Sequence, residues 1–221
     1  MKNIILIAPQ SAGKGTQAKM IEDKYNLPHI SAGDLLRAEV NKKSSIGKEI
    51  EDILNKGDLV SHKYIFQLIE NRILEDDCKN GYILDGFPRT KEQLAEYLDI
   101  LTRNDLDIGI AILLDVEKEE VLKRIKGRRV CSNCGKNYNI NYETQKPKKE
   151  SICDECGGSL LKRDDDTDEA IEHRLNIYYT ETEPLLNYYK DRNILYVIDG
   201  AKSPKEVFDD VDAVIEEANK W

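Results

Sequence analysis

The N-terminal stretch has no apolar run long enough for a signal peptide or a membrane span. One lysine and about six apolar residues precede Pro9 and Gln10, whereas a span needs about 20. Positive charge is not in excess either. Lys and Arg number 33 against 42 Asp and Glu, and the net charge of −9 argues against a nucleic-acid or anionic-membrane binder, although a local basic pocket could still hold phosphates. There is no internal repeat and no long low-complexity tract. Histidine is scarce, and His29, His62 and His173 are expected to pack or to face solvent rather than to shuttle protons. Cysteine is sparse too, but four of the five stand as Cys131-x-x-Cys134 and Cys153-x-x-Cys156. In the reducing cytosol predicted for this chain, such pairs bind metal rather than form disulfides. Cys78 stands alone and reads as a small buried apolar residue.

What is present suits one sizeable domain with inserts, or two small ones: 221 residues, 40% apolar and 34% charged. Apolar runs at 3–7, 82–84, 109–114 and 194–198 read as buried strands, with a weaker one at 28–30. Helical periods lie between them. Ile46, Ile50, Ile53 and Leu54 share a face before a stop at Gly57, and a helix from Ser61 buries Ile65, Leu68, Ile69 and Ile73. Thr167 opens a long pattern that Pro184 should interrupt. Ser203, Pro204 and Glu206 form a capping box with proline in the first turn, and Val207, Val211 and Val214 follow. Alternating strands and helices predict a parallel sheet covered on both faces, with ligands beyond the carboxyl ends of its strands. Residues 127–164 break this rhythm and read as a small insert held by metal rather than by a core.

"APQSAGKGTQ" (8–17) joins the first strand to the first helix. A phosphate loop needs backbone N–H groups converging at a helix N-terminus plus a cation, and Gly13, Lys14 and Gly15 supply these. Ala8 stands where glycine is usual, which is tolerable only if its φ is negative. "ISAGDLLR" (30–37) has Ser31 and Asp34 as a capping box. "LDGFPRT" (84–90) crowds Asp85, Gly86 and Arg89 at a strand end, where a carboxylate suits Mg²⁺ directly or through water. Thr90-x-x-Gln93 is a further capping box. The two Cys-x-x-Cys knuckles predict a closed tetrahedral, structural zinc site. A nucleic-acid-binding zinc ribbon is the other reading of this segment.

"AGKGTQ", "ISAGDLLR", "LDGFPRT-x-x-Q", "GRRVCSNCG" and "RDDD…HR", in that order from about residue 3 to 200, resemble adenylate kinases of the long form with a zinc-binding lid. The resemblance implies a three-layer α/β P-loop fold with a parallel five-stranded sheet. Its core would comprise 1–30, 61–126 and 165–221, with a helical nucleoside-monophosphate segment at 31–60 and a lid at 127–164. It implies the reaction MgATP + AMP ⇌ 2 ADP in a cytoplasmic monomer with neither nucleic acid nor membrane as partner. By the resemblance, Gly13, Lys14, Gly15, Thr16, Arg124, Arg128 and Lys202 serve the ATP side. Ala32, Arg37, Leu59, Val60, Gly86, Arg89 and Gln93 serve AMP, and Arg163 and Arg174 bridge the phosphates and also touch AMP. Asp85 stands near Mg²⁺. Lys14, Arg89, Arg128, Arg163 and Arg174 form the implied catalytic set, and Cys131, Cys134, Cys153 and Cys156 hold structural Zn²⁺. Three departures stand out in the loop: Ala8 for glycine, Gln10 for proline and Ser11 for glycine. Ala32, in place of threonine, resembles uridylate/cytidylate kinases, whereas Gln93 resembles adenylate kinases and could donate and accept toward an adenine edge. A uridylate/cytidylate kinase, a GTP:AMP phosphotransferase and a non-catalytic nucleotide sensor are the alternatives.

Overall fold

The computed structural model of the chain describes residues 2–42, 45–56, 58, 60, 62–163 and 166–220, without the side chains of 45, 46, 62 and 63. The helix starts and stops expected at Ser61 and Gly57, and the side chain of Ile46, lie outside the described residues.

Five parallel strands form the central sheet: β1 (Ile4–Ile7), β2 (His29–Ser31), β3 (Ile83–Asp85), β4 (Ile110–Asp115) and β8 (Leu195–Asp199). Their order is β2-β3-β1-β4-β8. Because strand side chains alternate between faces, each apolar run supplies both faces of the sheet. Ile4 and Leu6 of β1 and Ile110, Ile112 and Leu114 of β4 enter one core, and Ile5, Ile7, Ala111 and Leu113 enter the other. The first core is covered by α1 (Lys14–Tyr25), α6 (Lys118–Gly127), α7 (Asp168–Ile177) and α9 (Pro204–Ala218) through Ile21, Val121, Ile171 and Val211. The second is covered by α2 (Ala32–Asn41), α3 (Ser45–Lys56), α4 (His62–Ile73), α5 (Lys91–Arg103) and α8 (Leu186–Asp191) through Leu36, Ile50, Ile69, Tyr97 and Tyr189. The result is the expected three-layer arrangement.

Ser31, Thr90, Thr167 and Ser203 cap their helices as expected, but the reciprocal half of the box forms at Ser203–Glu206, whereas Asp34 turns to Arg37 and Gln93 to the Arg89 amide. Thr167 accepts from the Ala170 amide, and Ser203 and Glu206 cap each other's backbone. Pro184 does interrupt its helical run: α7 passes into a π-helical turn at Tyr178–Thr182 and a tight turn at Glu183–Leu185 before α8 begins. Cys78 is buried as expected, and burial pushes its thiol up to about 11.

The insert after α6 is a three-stranded antiparallel sheet of β6 (Asn137–Asn139), β5 (Arg128–Cys131) and β7 (Leu160–Leu161). Among the described residues its buried apolar core is Cys131, Tyr138, Cys153 and Leu160. That is too little apolar surface to hold a segment of this length.

Candidate functional site

The loop from β1 to α1 curls around the N-terminus of α1. Gly13 caps that helix at φ 103, a left-handed conformation that glycine adopts without strain. Ala8 is not among the residues with positive φ, so its methyl group is accommodated, and it is buried in the core. The strain falls instead on Ser11, at φ 61, whose Oγ is buried and meets no partner among the described residues. Lys14 folds back over its own loop, and its Nζ donates to the carbonyls of Ala8 (2.8 Å) and Pro9 (3.2 Å).

This loop opens on a cavity of about 1350 Å³. Its wall includes Gly13, Lys14, Gly15, Thr16, Ala32, Arg37, Val60, Asp85, Gly86, Arg89, Gln93, Arg124, Arg128, Arg163, Arg174 and Lys202. The residues singled out in the sequence for the phosphates and the acceptor therefore meet at one place, apart from Leu59, which lies outside the described residues. Parallel pairing explains part of this convergence. β3 lies between β1 and β2, with Asp85 beside Leu6 and Ser31, so the loops after β1, β2 and β3 emerge side by side.

Charges at this edge act on one another. Burial pushes Lys14 below its ordinary value, Asp85 opposes that push, and Arg89 and Arg128 add to it. Burial likewise lowers Arg89, with Asp85 opposing and Arg174 and Arg37 adding. For Asp85 burial pulls upward, but His29, Lys14 and Arg89 outweigh it and hold the carboxyl below the usual range. Such a concentration of buried positive charge suits a polyanionic ligand. An ionised carboxylate among these cations fits the oxygen ligands that Mg²⁺ prefers, so Asp85 would hold the ion or a water of its shell.

Individual side chains have defined partners. Arg89 is seated by Nε donating to the Gly86 carbonyl (2.8 Å), and its own carbonyl accepts from Thr182. Gly86 has φ 77, and a Cβ there would lie 2.8 Å from the Arg89 guanidinium. Arg37 pairs with Asp34 one turn away at 2.6 Å. Arg124 donates to the carbonyls of Ala12 (3.3 Å) and Gly200 (2.9 Å), which ties the phosphate loop to the "DGAK" stretch, while Lys202 Nζ turns to Asp210. Arg174 donates to the Leu54 carbonyl at the end of α3 (3.0 Å). Gln93 is buried, and its Oε1 accepts from the Arg89 backbone amide (2.7 Å). One lone pair of Oε1 is thereby used, which leaves Nε2 and the second lone pair of Oε1 for a base.

Two functional neighbours were missed in the sequence. His29 was expected to pack or face solvent, but its Nε2 lies 3.4 Å from Asp85 Oδ2 and lines the cavity. Asp166, the last residue of "RDDD", turns its side chain inward, where it is 6% exposed. It grips the Arg128 fork at 2.6 Å, accepts from Gln10 at 2.8 Å and stands 3.6 Å from Arg174. The acidic run itself was legible, but which of its carboxylates turns inward was not.

In the insert, the four cysteine sulfurs lie within 4.8 Å of one another, with Cys131–Cys156 at 3.4 Å and Cys134–Cys153 at 3.6 Å. These separations are far too long for S–S bonds of about 2.05 Å. They approach the ~3.8 Å edge of a tetrahedron with Zn–S bonds of ~2.3 Å. The donor set thus fits a closed four-thiolate metal site.

A profile of the adenylate kinase family matches residues 6–194. The chain belongs to this family. It is 45% identical to an adenylate kinase of Clostridium tetani over 96% of this chain and 98% of that one. Identity is 44% to an adenylate kinase of Fervidobacterium nodosum, over 93% of each chain. It is 43% to that of Methanosarcina barkeri, over 96% and 98%. As a member of this family the chain is a phosphotransferase, a nucleoside monophosphate kinase whose chemistry uses magnesium and ATP. Among the described residues no helix is long and apolar enough to cross a membrane.

Proposed function

We propose that the cavity binds MgATP on the phosphate-loop side and AMP beside Gln93, and that it transfers the γ-phosphoryl group directly between them. The observation that carries this reading is the single cavity whose wall combines Lys14, Arg89, Arg128, Arg163 and Arg174 from five separate stretches of the chain. An oxygen of the AMP phosphate attacks Pγ, the bond from Pγ to the β-phosphate oxygen breaks, and two ADP result. The attacking oxygen is already anionic at neutral pH, so no general base is needed, and the protein's task is alignment and neutralisation of charge. Lys14, Arg128 and Arg124 take the donor side, with Gly13, Gly15 and Thr16 offering backbone amides and Lys202 standing at the donor base. Arg37 and Arg89 hold the AMP phosphate, Ala32, Val60 and Gly86 line its side, and Arg163 and Arg174 span both. Magnesium at Asp85, when bound, neutralises phosphate charge.

Residues 31–60 and 127–164 are read as the moving inserts on the core of 1–30, 61–126 and 165–221. Closing them over the cavity would exclude water, which otherwise competes as acceptor. The cysteine site is read as structural zinc that makes the lid one rigid body. A reduced cytoplasmic setting suits its thiolates, and the chain is read as a monomer without nucleic acid or membrane as partner, in keeping with its net charge of −9.

Gln93, donating through Nε2 and accepting through the second lone pair of Oε1, suits a base edge that offers a ring-nitrogen acceptor beside an amino group. Adenine and cytosine offer one, whereas uracil and guanine present N–H there. The test is ADP formation from MgATP with AMP, CMP, UMP and GMP in parallel, with Ala32→Thr and Gln93→Ala alongside. AMP is expected to give the highest kcat/KM and CMP to follow. Ala32→Thr should tighten AMP modestly, and Gln93→Ala should erode the preference more. A higher kcat/KM for CMP or UMP than for AMP would overturn the assignment.

A further inference from the structure

We propose that Gln10 is a positioning residue that ties the chain leaving the lid to the phosphate loop and so sets the orientation of the Arg128 fork toward the donor's phosphates. The proposal rests on Arg128 acting on the donor side as described above. Gln10 stands where the resemblance leads one to expect proline, a residue that could make no such contact. Its Nε2 donates to Asp166 Oδ1 at 2.8 Å, across 156 positions of sequence. The amide orientation follows from charge: turned the other way, its carbonyl would face a carboxylate.

The opposite half of the amide is the second observation. Gln10 Oε1 is buried without a hydrogen-bond partner among the described residues. An orphaned carbonyl is costly, so the side chain is held there by its charge-assisted bond to Asp166. Asp166 is itself 6% exposed and holds Arg128 through both oxygens, with Nη2 at 2.6 Å from each and Nε at 3.1 Å from Oδ2. Arg174 Nη1 lies 3.6 Å from the same Oδ1 that Gln10 grips. A carboxylate pinned at Oδ1 from the phosphate loop cannot rotate about its own axis, so the guanidinium paired with it keeps one plane. Without the pin, Asp166 and Arg128 remain a pair but turn together. What is lost is the aim of the fork, since the backbone of both stretches is held by other contacts.

Two substitutions separate aim from packing. Gln10→Met keeps the length and removes the donor. Gln10→Glu keeps the shape and sets a second acceptor against Asp166. Steady-state kinetics at pH 8 and pH 6, with thermal unfolding as a control on folding, provide the readout. Gln10→Met should lower kcat/KM for MgATP by about tenfold at both pH values and leave KM for AMP within about twofold. Gln10→Glu should lose more at pH 8 and recover toward the wild type at pH 6, because the facing Asp166 carboxylate and burial favour the protonated carboxyl, against the opposing pull of Arg128 and Arg174, and that form can again donate to Asp166. Wild-type kcat/KM for MgATP in Gln10→Met, or deficits of the two variants that run parallel in pH, would overturn the proposal. If Gln10→Met fails to fold, the pH response of Gln10→Glu decides it. The wild type in the same assay separates the two readings: an inactive wild type refutes the phosphoryl-transfer function, and an active one with indifferent Gln10 variants refutes only the positioning role.

Discussion

Lys14 shows how a residue serves a site before its ligand arrives. Its Nζ is satisfied by the Ala8 and Pro9 carbonyls, so the loop carries its cation without an unpaired charge, and phosphate need only replace these contacts. Lys14→Met should therefore fold normally, by circular dichroism, and lose about two to three powers of ten in kcat. Near-normal turnover in the folded variant would refute the role given to this loop. Ser11 is the opposite case, a non-glycine residue at φ 61 with an orphaned hydroxyl. A left-handed side chain costs about 1–2 kcal/mol, partly offset by the greater unfolded entropy of glycine. Ser11→Gly is thus expected to stabilise the chain by up to about 1 kcal/mol, or about 2–4 °C in Tm. A fall in Tm would contradict this. Asp85 adds a pH signature. Its folded value lies below the ordinary 3.8, so the ionised carboxylate stabilises the fold above that pH and the contribution is lost as pH falls through it. Asp85→Asn should be less stable than the parent at pH 7 in urea titrations, with the gap narrowing as pH falls below the ordinary carboxylate range. A gap that does not change with pH would show that the carboxylate's charge is not what matters.

Among the elements, the insert of 127–164 depends most on something other than packing. Its buried core of Cys131, Tyr138, Cys153 and Leu160 includes two of the four sulfurs. The Tyr138 hydroxyl lies 3.5 Å from Cys153 Sγ while accepting from the Asp154 amide, so the aromatic core and the sulfur cluster share atoms. Metal binding in such a segment is folding free energy. One zinc per chain is expected by elemental analysis. A chelator should open residues 127–164 to limited proteolysis while the central sheet keeps its cooperative unfolding. Absence of metal, with four freely reactive thiols in a protease-resistant lid, would contradict the assignment. The same elements show what could be read in advance. β1 and β4 were visible as apolar runs because both of their faces are buried. The caps at Thr167, Thr90 and Ser203 were visible because a cap is a contact between residues three apart. His29 was not, since its place beside Asp85 depends on the parallel pairing of β2 with β3. Nor was the contact between Gln10 and Asp166, which only tertiary folding creates.

At the scale of the whole molecule, the parallel sheet gathers loops from distant parts of the chain at one edge, and the two inserts reach that edge from either side. The contacts already span them: α7 meets the 31–60 segment through Arg174 on the Leu54 carbonyl and His173 at 2.7 Å from Asp58, while Asp166 joins the lid's return to the phosphate loop. This arrangement explains how two nucleotides could sit phosphate to phosphate in one cavity. Its central claim is direct transfer, and the stoichiometry of ADP, ATP and inorganic phosphate during turnover with magnesium, ATP and AMP tests that claim most directly. The account predicts two ADP formed for each ATP consumed, with negligible free phosphate, in the wild type. Release of inorganic phosphate in step with ATP loss, or ATP binding without any ADP formation, would contradict it.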